Sequence, residues 1–256
     1  ELTRRQLLAG AGAGAAAVFL ETAGVQAQAP RPPAGRPIVF THTTVVTLDG
    51  QLDDVALAVE NGLIAAIGPT AQVQARYPNA DVYDGRGKAL FPGLINCHSH
   101  LSATIERGFN EDFGFPNSLT LAVSPNSLLS PDERVLMSVI GMIEALKTGT
   151  TTIIENVGGI AREAKAIADV GLRTVFAESF NDREGAGVMS AELLAKSEKP
   201  TYSAKLRDEG MQRIADLHTA WHGKNNGRIT VFPAVAHAEN CSGDLLKAVR
   251  AFAETH

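Results

Sequence analysis

Short apolar segments alternate with helical segments from Leu90 to the end of the chain, and this alternation limits the fold more than any other feature. The strand-like segments carry little polar alternation, which is typical of parallel strands buried on both faces. Four βα units are therefore predicted, in either a doubly wound sheet or a (β/α)₈ barrel. The four strand-like segments are "ALFPGLINCHSH", "TTTIIENV", "RTVFAESF" and "RITVFPAVAH".

Local signals mark the ends of the predicted helices. Ser130, Pro131 and Glu133 form a capping box with proline at the first helical position, and Gly149 is expected to stop this helix. Ser242 is a suitable N-cap for the last helix.

Upstream of the alternation, residues 37–89 are rich in strand signals. Asn61-Gly62 is the preferred pair for a type I′ turn and predicts a hairpin between two alternating segments. We expect residues 37–89 to be β-rich and antiparallel and residues 90–256 to form the βα units.

Polar side chains follow the predicted strands. In a barrel, functional residues lie at the carboxyl ends of strands, and the chain has such residues at His98, His100, Glu155, Glu178 and His237. This placement favours the barrel, of which the sequence holds the first half. Either glutamate is a candidate to touch a substrate.

His98 and His100 are one residue apart at the end of a strand, so their side chains are expected to share a face. Two such imidazoles make half of a site for zinc, iron, copper or nickel. Cys97 alternates to the other face and is expected to be a buried thiol. His218 and His222 have helical i, i+4 spacing but lack the glutamate of a His-Glu-x-x-His site.

The N-terminal segment has the pattern of an export signal. Arg4 and Arg5 precede an apolar run that is too short to span a membrane, and an Ala27-x-Ala29 cleavage pattern follows. We expect a twin-arginine signal peptide at residues 1–29, a linker at 30–36, and a bacterial protein that is periplasmic or secreted without a stable membrane anchor. An ordinary secretory signal is the alternative.

Composition excludes some classes of protein. The net charge of −5 and the lack of a Lys/Arg run argue against nucleic-acid binding, and the two cysteines define no disulfide framework. The chain begins with Glu1 and ends in a helix pattern, so a longer protein is expected.

These segments resemble the amidohydrolase superfamily, in its branch of cytosine, guanine and S-adenosylhomocysteine deaminases and triazine hydrolases. The stretches that carry the resemblance are "VENGLIAAIGP", "GKALFPGLINCHSHL", "IEALKTGTTTIIE", "DVGLRTVF" and "AVAHAENCSGDLLKAVRAFAE". The resemblance implies a metal-dependent (β/α)₈ TIM barrel flanked by a small β-sandwich, with only the N-terminal half of each present.

The resemblance also implies a site. His98 and His100 match the first two ligands of one divalent metal ion, zinc or iron, and His237 matches a substrate-binding histidine. The remaining ligands and the catalytic general acid/base glutamate would follow His256. The fourth strand carries no lysine, which favours one metal over two. Glu239 and Asn240 depart from the Pro-Tyr-Thr of the branch and leave the substrate open.

The implied activity is hydrolysis of carbon–nitrogen bonds other than peptide bonds, most simply deamination of an amino-substituted N-heterocycle, a small-molecule substrate. A hydrolytic dehalogenase and a cyclic-amide hydrolase are alternatives on the same fold. A metal-free binding protein or an inactive fragment is the alternative outside enzymes. The sequence leaves open whether the protein forms a homo-oligomer.

Overall fold

The computed structural model describes residues 35–108, 125–185 and 200–256. It divides the chain into two compact units, with the boundary in the sequence between Pro92 and Gly93, close to the boundary expected at residue 90. The predicted signal peptide at residues 1–29 and residues 30–34 of the predicted linker lie outside the described residues.

The first unit is a five-stranded sheet around β1. Strands β1, β2 and β3 are antiparallel neighbours, and Asn61 and Gly62 join β2 to β3 with positive φ angles of 52° and 76°. These angles suit the type I′ turn that the sequence predicts. The strands are β1 (Ile38–Thr47), β2 (Gly50–Glu60), β3 (Leu63–Pro69), β4 (Asp81–Asp84) and β5 (Ala89–Leu90).

The expectation of a wholly antiparallel first unit is wrong. Both β4 and β5 pair with β1 in parallel. The physical reason is helix α1 (Thr70–Arg76), which follows β3 and lets the chain cross over before it rejoins the sheet. Its Val73 is buried with Val39 of β1, so the crossover also supplies core.

The second unit is a four-stranded parallel sheet whose strands neighbour one another in sequence order, β6-β7-β8-β9. A doubly wound sheet reverses its strand order at a switch point, and this order has no reversal. It is the arrangement of the first half of a (β/α)₈ barrel, as predicted. The elements are β6 (Leu94–Ser99), α2 (Pro131–Lys147), β7 (Thr150–Val157), α3 (Ala164–Val170), β8 (Arg173–Phe180), α4 (Ala204–Trp221), β9 (Ile229–Val235) and α5 (Gly243–Thr255).

Short helical turns complete the second unit. In the described part of this unit four are 3₁₀ turns, and a fifth turn, Lys224–Gly227, contains two asparagines with left-handed backbone. The 3₁₀ turns are Leu101–Glu106, Pro125–Leu128, Ile160–Arg162 and Ala238–Asn240.

The helix ends follow the sequence signals. The Ser130 side chain accepts a hydrogen bond from the backbone of Glu133, and the Glu133 carboxylate accepts one from the backbone of Ser130. Gly149 follows the C-cap of α2 with φ 93°, and Ser242 caps α5. Such local contacts depend on neighbours in sequence, which is why the sequence predicts them.

The core of the second unit lies between the sheet and its helices, with Ile153, Ile167 and Phe176 fully or almost fully buried. A second cluster packs α4 and α5 on the end of β8, where Gly210 lies directly against the ring of Phe180. Among the described residues no helix has the length and apolar character needed to cross a membrane.

Strand β6 departs from the expectation of buried strands. It is the edge strand of the sheet, and its apolar residues are largely exposed, Ile95 to 66%. The prediction from apolar composition is wrong for this strand in the described chain because an edge strand is covered on fewer sides.

Candidate metal and substrate site

The carboxyl ends of the four parallel strands lie at one edge of the sheet and gather the predicted site residues. Ser99, the last residue of β6, lies between His98 and His100 and pairs with Glu155 on β7. Glu178 lies near the end of β8, and His237 follows β9 by two residues. The edge therefore carries polar side chains from all four strands.

His98 and His100 bring their rings together. Their Nε2 atoms are 3.1 Å apart, and the rings meet edge to face with centroids 4.7 Å apart. Both residues are exposed. The two ring nitrogens thus converge on one point that solvent reaches.

The spacing of these nitrogens fits a metal ion. Zinc–nitrogen bonds of about 2.0–2.1 Å at a tetrahedral angle hold two nitrogens roughly 3.3 Å apart, close to the 3.1 Å between His98 and His100. Neutral imidazole is a suitable ligand for zinc and for iron. The pair supplies two ligands, and among residues 35–108, 125–185 and 200–256 no group of three or more His, Cys, Asp or Glu side chains is placed to hold a metal.

The surroundings favour the neutral form of His100. The protein around the ring removes part of its hydration, which lowers the pKa of the His100 imidazole although the residue is still exposed, and the neighbouring His98 lowers that pKa further. A hydrogen bond with the backbone of Asn156 acts in the opposite direction. His237 makes a smaller contribution that also lowers the pKa of His100.

His237 adopts an unusual backbone conformation, with φ 57° and ψ 110°. A residue other than glycine is rarely found with positive φ, and the surrounding structure must hold it there. Its carbonyl accepts a hydrogen bond from the backbone of Asn240 at 2.8 Å. Its Nδ1 lies 3.7 Å from Glu239 Oε1, and the side chain is partly exposed.

Asp182, which sequence reasoning missed, anchors the loop that carries His237. Its carboxylate is buried and accepts hydrogen bonds from the Ser242 backbone at 2.8 Å and from the Ser242 hydroxyl at 2.5 Å. The next residue, Arg183, donates to the Asn240 side chain at 3.2 Å. The sequence holds one signal for this role, which is that Asp182 is an acidic residue two positions after a predicted strand. A carboxylate in that position can bond to the neighbouring loops.

Glu155 and Glu178 lie near the carboxyl ends of β7 and β8, as the sequence predicts, but their side chains are not exposed. Both are buried, Glu155 to 0% and Glu178 to 2% exposure, and each accepts hydrogen bonds from the backbone of the loop after the preceding strand. Glu178 also pairs with Arg213 at 3.2 Å. Their described contacts are with the protein itself, and a contact with substrate stays a prediction.

The expectation for Cys97 is also wrong, because this thiol is exposed on the edge strand. Cys241 is the buried cysteine, and burial raises the pKa of its thiol to about 11. A thiol in that state is protonated at neutral pH and serves packing.

His42, His218 and His222 make contacts within their own units. His42 Nδ1 is 2.8 Å from Asp54 Oδ1 on the sheet of the first unit. His218 and His222 have ring centroids 4.3 Å apart on α4, and His222 Nδ1 accepts a hydrogen bond from the Val231 backbone.

Comparison with known proteins shows which family this chain resembles. Residues 89–256 match the amidohydrolase family, and residues 56–80 match the bacterial imidazolonepropionase-like composite domain. The 5-methylthioadenosine/S-adenosylhomocysteine deaminase of Desulforudis audaxviator is 30% identical over 199 residues, which are 77% of this chain and 42% of that protein. The chain therefore spans less than half the length of this relative.

Solved structures have the same fold. An adenosine deaminase from Xanthomonas campestris with bound zinc superposes with a TM-score of 0.68 at 25% identity, over 88% of this chain and 48% of that one. A triazine hydrolase from Arthrobacter aurescens gives a TM-score of 0.69 at 20% identity, over 86% and 51%. The predicted barrel architecture is confirmed for the described part of the chain.

Proposed function

Because the chain belongs to the amidohydrolase family, we propose that the protein is a metal-dependent hydrolase that removes an amino group from an N-heterocycle. The observation that carries the proposal is the convergence of the His98 and His100 Nε2 atoms at the carboxyl edge of the sheet. Two nitrogens at metal-ligand spacing in this position are the beginning of a catalytic metal site.

The metal we propose is one divalent ion, zinc or iron, held by His98 and His100 together with ligands from the rest of the protein. The zinc in the related adenosine deaminase structure supports zinc as the first candidate. When bound, such an ion supplies Lewis-acid chemistry that makes water a nucleophile at neutral pH. The task of His98 and His100 is to present neutral ring nitrogens in a fixed geometry.

His237 is proposed to contact the substrate. It lies at the end of β9, is partly exposed and is held in a strained backbone conformation by its loop. A ring nitrogen of His237 is suited to a hydrogen bond with a heteroatom of the substrate ring. The carboxylate oxygen Oε1 of its neighbour Glu239 lies 3.7 Å from the His237 Nδ1 atom.

The proposed substrate is a purine or purine nucleoside that carries an exocyclic amino group. The names of the deaminases that resemble this chain, for adenosine and for 5-methylthioadenosine and S-adenosylhomocysteine, support this class. In the overall reaction water adds at the ring carbon that bears the amino group, and ammonia leaves. The catalytic glutamate that moves the protons is proposed to lie beyond His256.

The test is a substrate panel with the full-length, metal-loaded protein. The panel holds adenosine, 5′-methylthioadenosine, S-adenosylhomocysteine, guanine, cytosine, a chlorinated triazine and a cyclic amide. We expect ammonia release from an aminated purine, and none from the matched His98→Ala variant. Release of chloride alone would favour the dehalogenase, and opening of the cyclic amide alone would favour the cyclic-amide hydrolase. A full-length protein that neither binds metal nor turns over any of these compounds would favour the metal-free binding protein.

A further inference from the structure

The peptide segment that carries the two histidines is held by one buried carboxylate. Glu155 accepts a hydrogen bond from the Ser99 hydroxyl at 2.7 Å, and its two oxygens accept from the Leu101 backbone at 3.0 and 3.1 Å. Ser99 precedes His100 and Leu101 follows it. Glu155 is therefore hydrogen-bonded to the residues on both sides of His100.

The strand needs this anchor because its own pairing is interrupted at the site. Between Asn96 and Ser99 the register of β6 against β7 shifts, so the residues around His98 leave the regular ladder. Irregularities of this kind aim a side chain in a new direction. The Asn96 side chain accepts the His98 backbone N–H at 3.2 Å, which satisfies one group that the ladder does not pair. Near the two histidines, hydrogen bonds from side chains thus take the place of the backbone hydrogen bonds between β6 and β7.

On β8, Glu178 holds the loop after β7 in the same way, and that loop carries no histidine. Glu178 is also buried and accepts from the backbones of Gly159 at 2.9 Å and Ile160 at 3.0 Å. The two glutamates therefore have equivalent structural roles, and they differ in what their loops carry.

We propose that Glu155 is a positioning residue for the metal site, which fixes the peptide between Ser99 and Leu101 so that the His98 and His100 Nε2 atoms converge before metal binds. The proposal rests on the proposed function, since it takes the two histidines as metal ligands. It predicts that loss of the carboxylate weakens metal binding, whereas loss of Glu178 lowers stability alone.

The experiment measures zinc affinity of the full-length protein by competition with a chromophoric chelator, together with the visible spectrum of its cobalt form. We expect Glu155→Ala to weaken zinc binding about 10–100-fold, the usual effect of removing a partner that orients a ligand, and to shift the cobalt bands. Glu178→Ala is the matched control and should keep the affinity and the spectrum of the unaltered protein.

Two further variants separate positioning from folding. Glu155→Gln should restore most of the affinity, because the amide oxygen can accept from Leu101 and the amide nitrogen can donate to Ser99. Ser99→Ala removes one of the three hydrogen bonds to Glu155, together with the 2.9 Å contact of the Ser99 hydroxyl with the Ile154 carbonyl, and should weaken zinc binding several-fold. If Glu155→Ala does not fold, Ser99→Ala decides the matter, and an unchanged zinc affinity in it overturns the proposal.

The same assay keeps the two proposals apart. If His98→Ala loses zinc while Glu155→Ala binds it within twofold of the unaltered protein, only the positioning role fails. Equal losses of affinity in Glu155→Ala and Glu178→Ala would also overturn it, since they would show a general effect on folding. If His98→Ala keeps its zinc, the histidine site itself fails, and the positioning role falls with it.

Discussion

The Glu155 carboxylate lies 2.7 Å from the Ser99 hydroxyl in a position that solvent does not reach. Burial raises the pKa of Glu155 to about 7, although the hydrogen bonds from Ser99 and Leu101 act to lower it. The folded state therefore holds a proton on this side chain more tightly than the unfolded state, where the pKa has its ordinary value of 4.5.

This difference makes stability depend on pH. The contribution of the Glu155 proton is fully present below pH 4.5 and is lost as pH rises to about 7, and it amounts to something on the order of 3 kcal/mol. Glu155→Gln, which does not titrate, should remove this part of the slope. Urea unfolding of both proteins from pH 4.5 to 7 measures it, and identical slopes would contradict the assignment.

The contact between Gly210 of α4 and the Phe180 ring predicts a sensitive position in the second unit. A Cβ at residue 210 would collide with ring atoms of Phe180, so Gly210→Ala should lower the free energy of unfolding by about 1–3 kcal/mol. Thermal or urea unfolding of the full-length protein measures the loss.

Gly243 provides the matched control for this prediction. It is the first residue of α5, and a Cβ there meets nothing within 4 Å. Gly243→Ala should leave stability unchanged or raise it by up to about 1 kcal/mol. An equal loss of stability in the two variants would show that the Phe180 contact is not the cause.

His237 is predicted to affect catalysis without affecting metal content. His237→Ala should keep its metal and lose about tenfold in kcat/KM, the loss expected when one hydrogen bond to the substrate is removed. Metal analysis and steady-state kinetics of the same preparation separate the two effects. A His237→Ala protein without metal would make this residue a ligand and contradict the proposed role.

Export is proposed to depend on the arginine pair at the N-terminus. Changing Arg4 and Arg5 together to lysine should keep the protein in the cytoplasm, because the twin-arginine route reads that pair. Arg31→Lys, in the predicted linker, is the control and should leave export unchanged. Cell fractionation measures the outcome, and periplasmic accumulation of the double variant would indicate the general secretory route instead.

Features that depend on neighbours in sequence were predictable. The Asn61-Gly62 turn, the capping box of Ser130 and Glu133 and the stop at Gly149 are local, and the structure has all of them. The order of strands in the second unit follows from the alternation of strands and helices. The first strand of this unit, with its His-x-His pair, resembles the amidohydrolase family, and that resemblance predicted the barrel fold.

Features that depend on distant contacts were not predictable. The parallel pairing of β4 and β5 with β1 results from a helix of seven residues, too short to give a clear periodic signal. The roles of Glu155, Glu178 and Asp182 depend on which loops pack above each strand. The exposure of Cys97 follows from its place on an edge strand with an interrupted ladder.

The central claim is that His98 and His100 together hold a catalytic metal ion. Its most direct test is the metal content of the purified full-length protein and of its His98→Ala and His100→Ala variants, measured by inductively coupled plasma mass spectrometry. We predict about one zinc or iron per chain in the unaltered protein and a loss of that metal in each variant. Full metal content in both variants would contradict the claim.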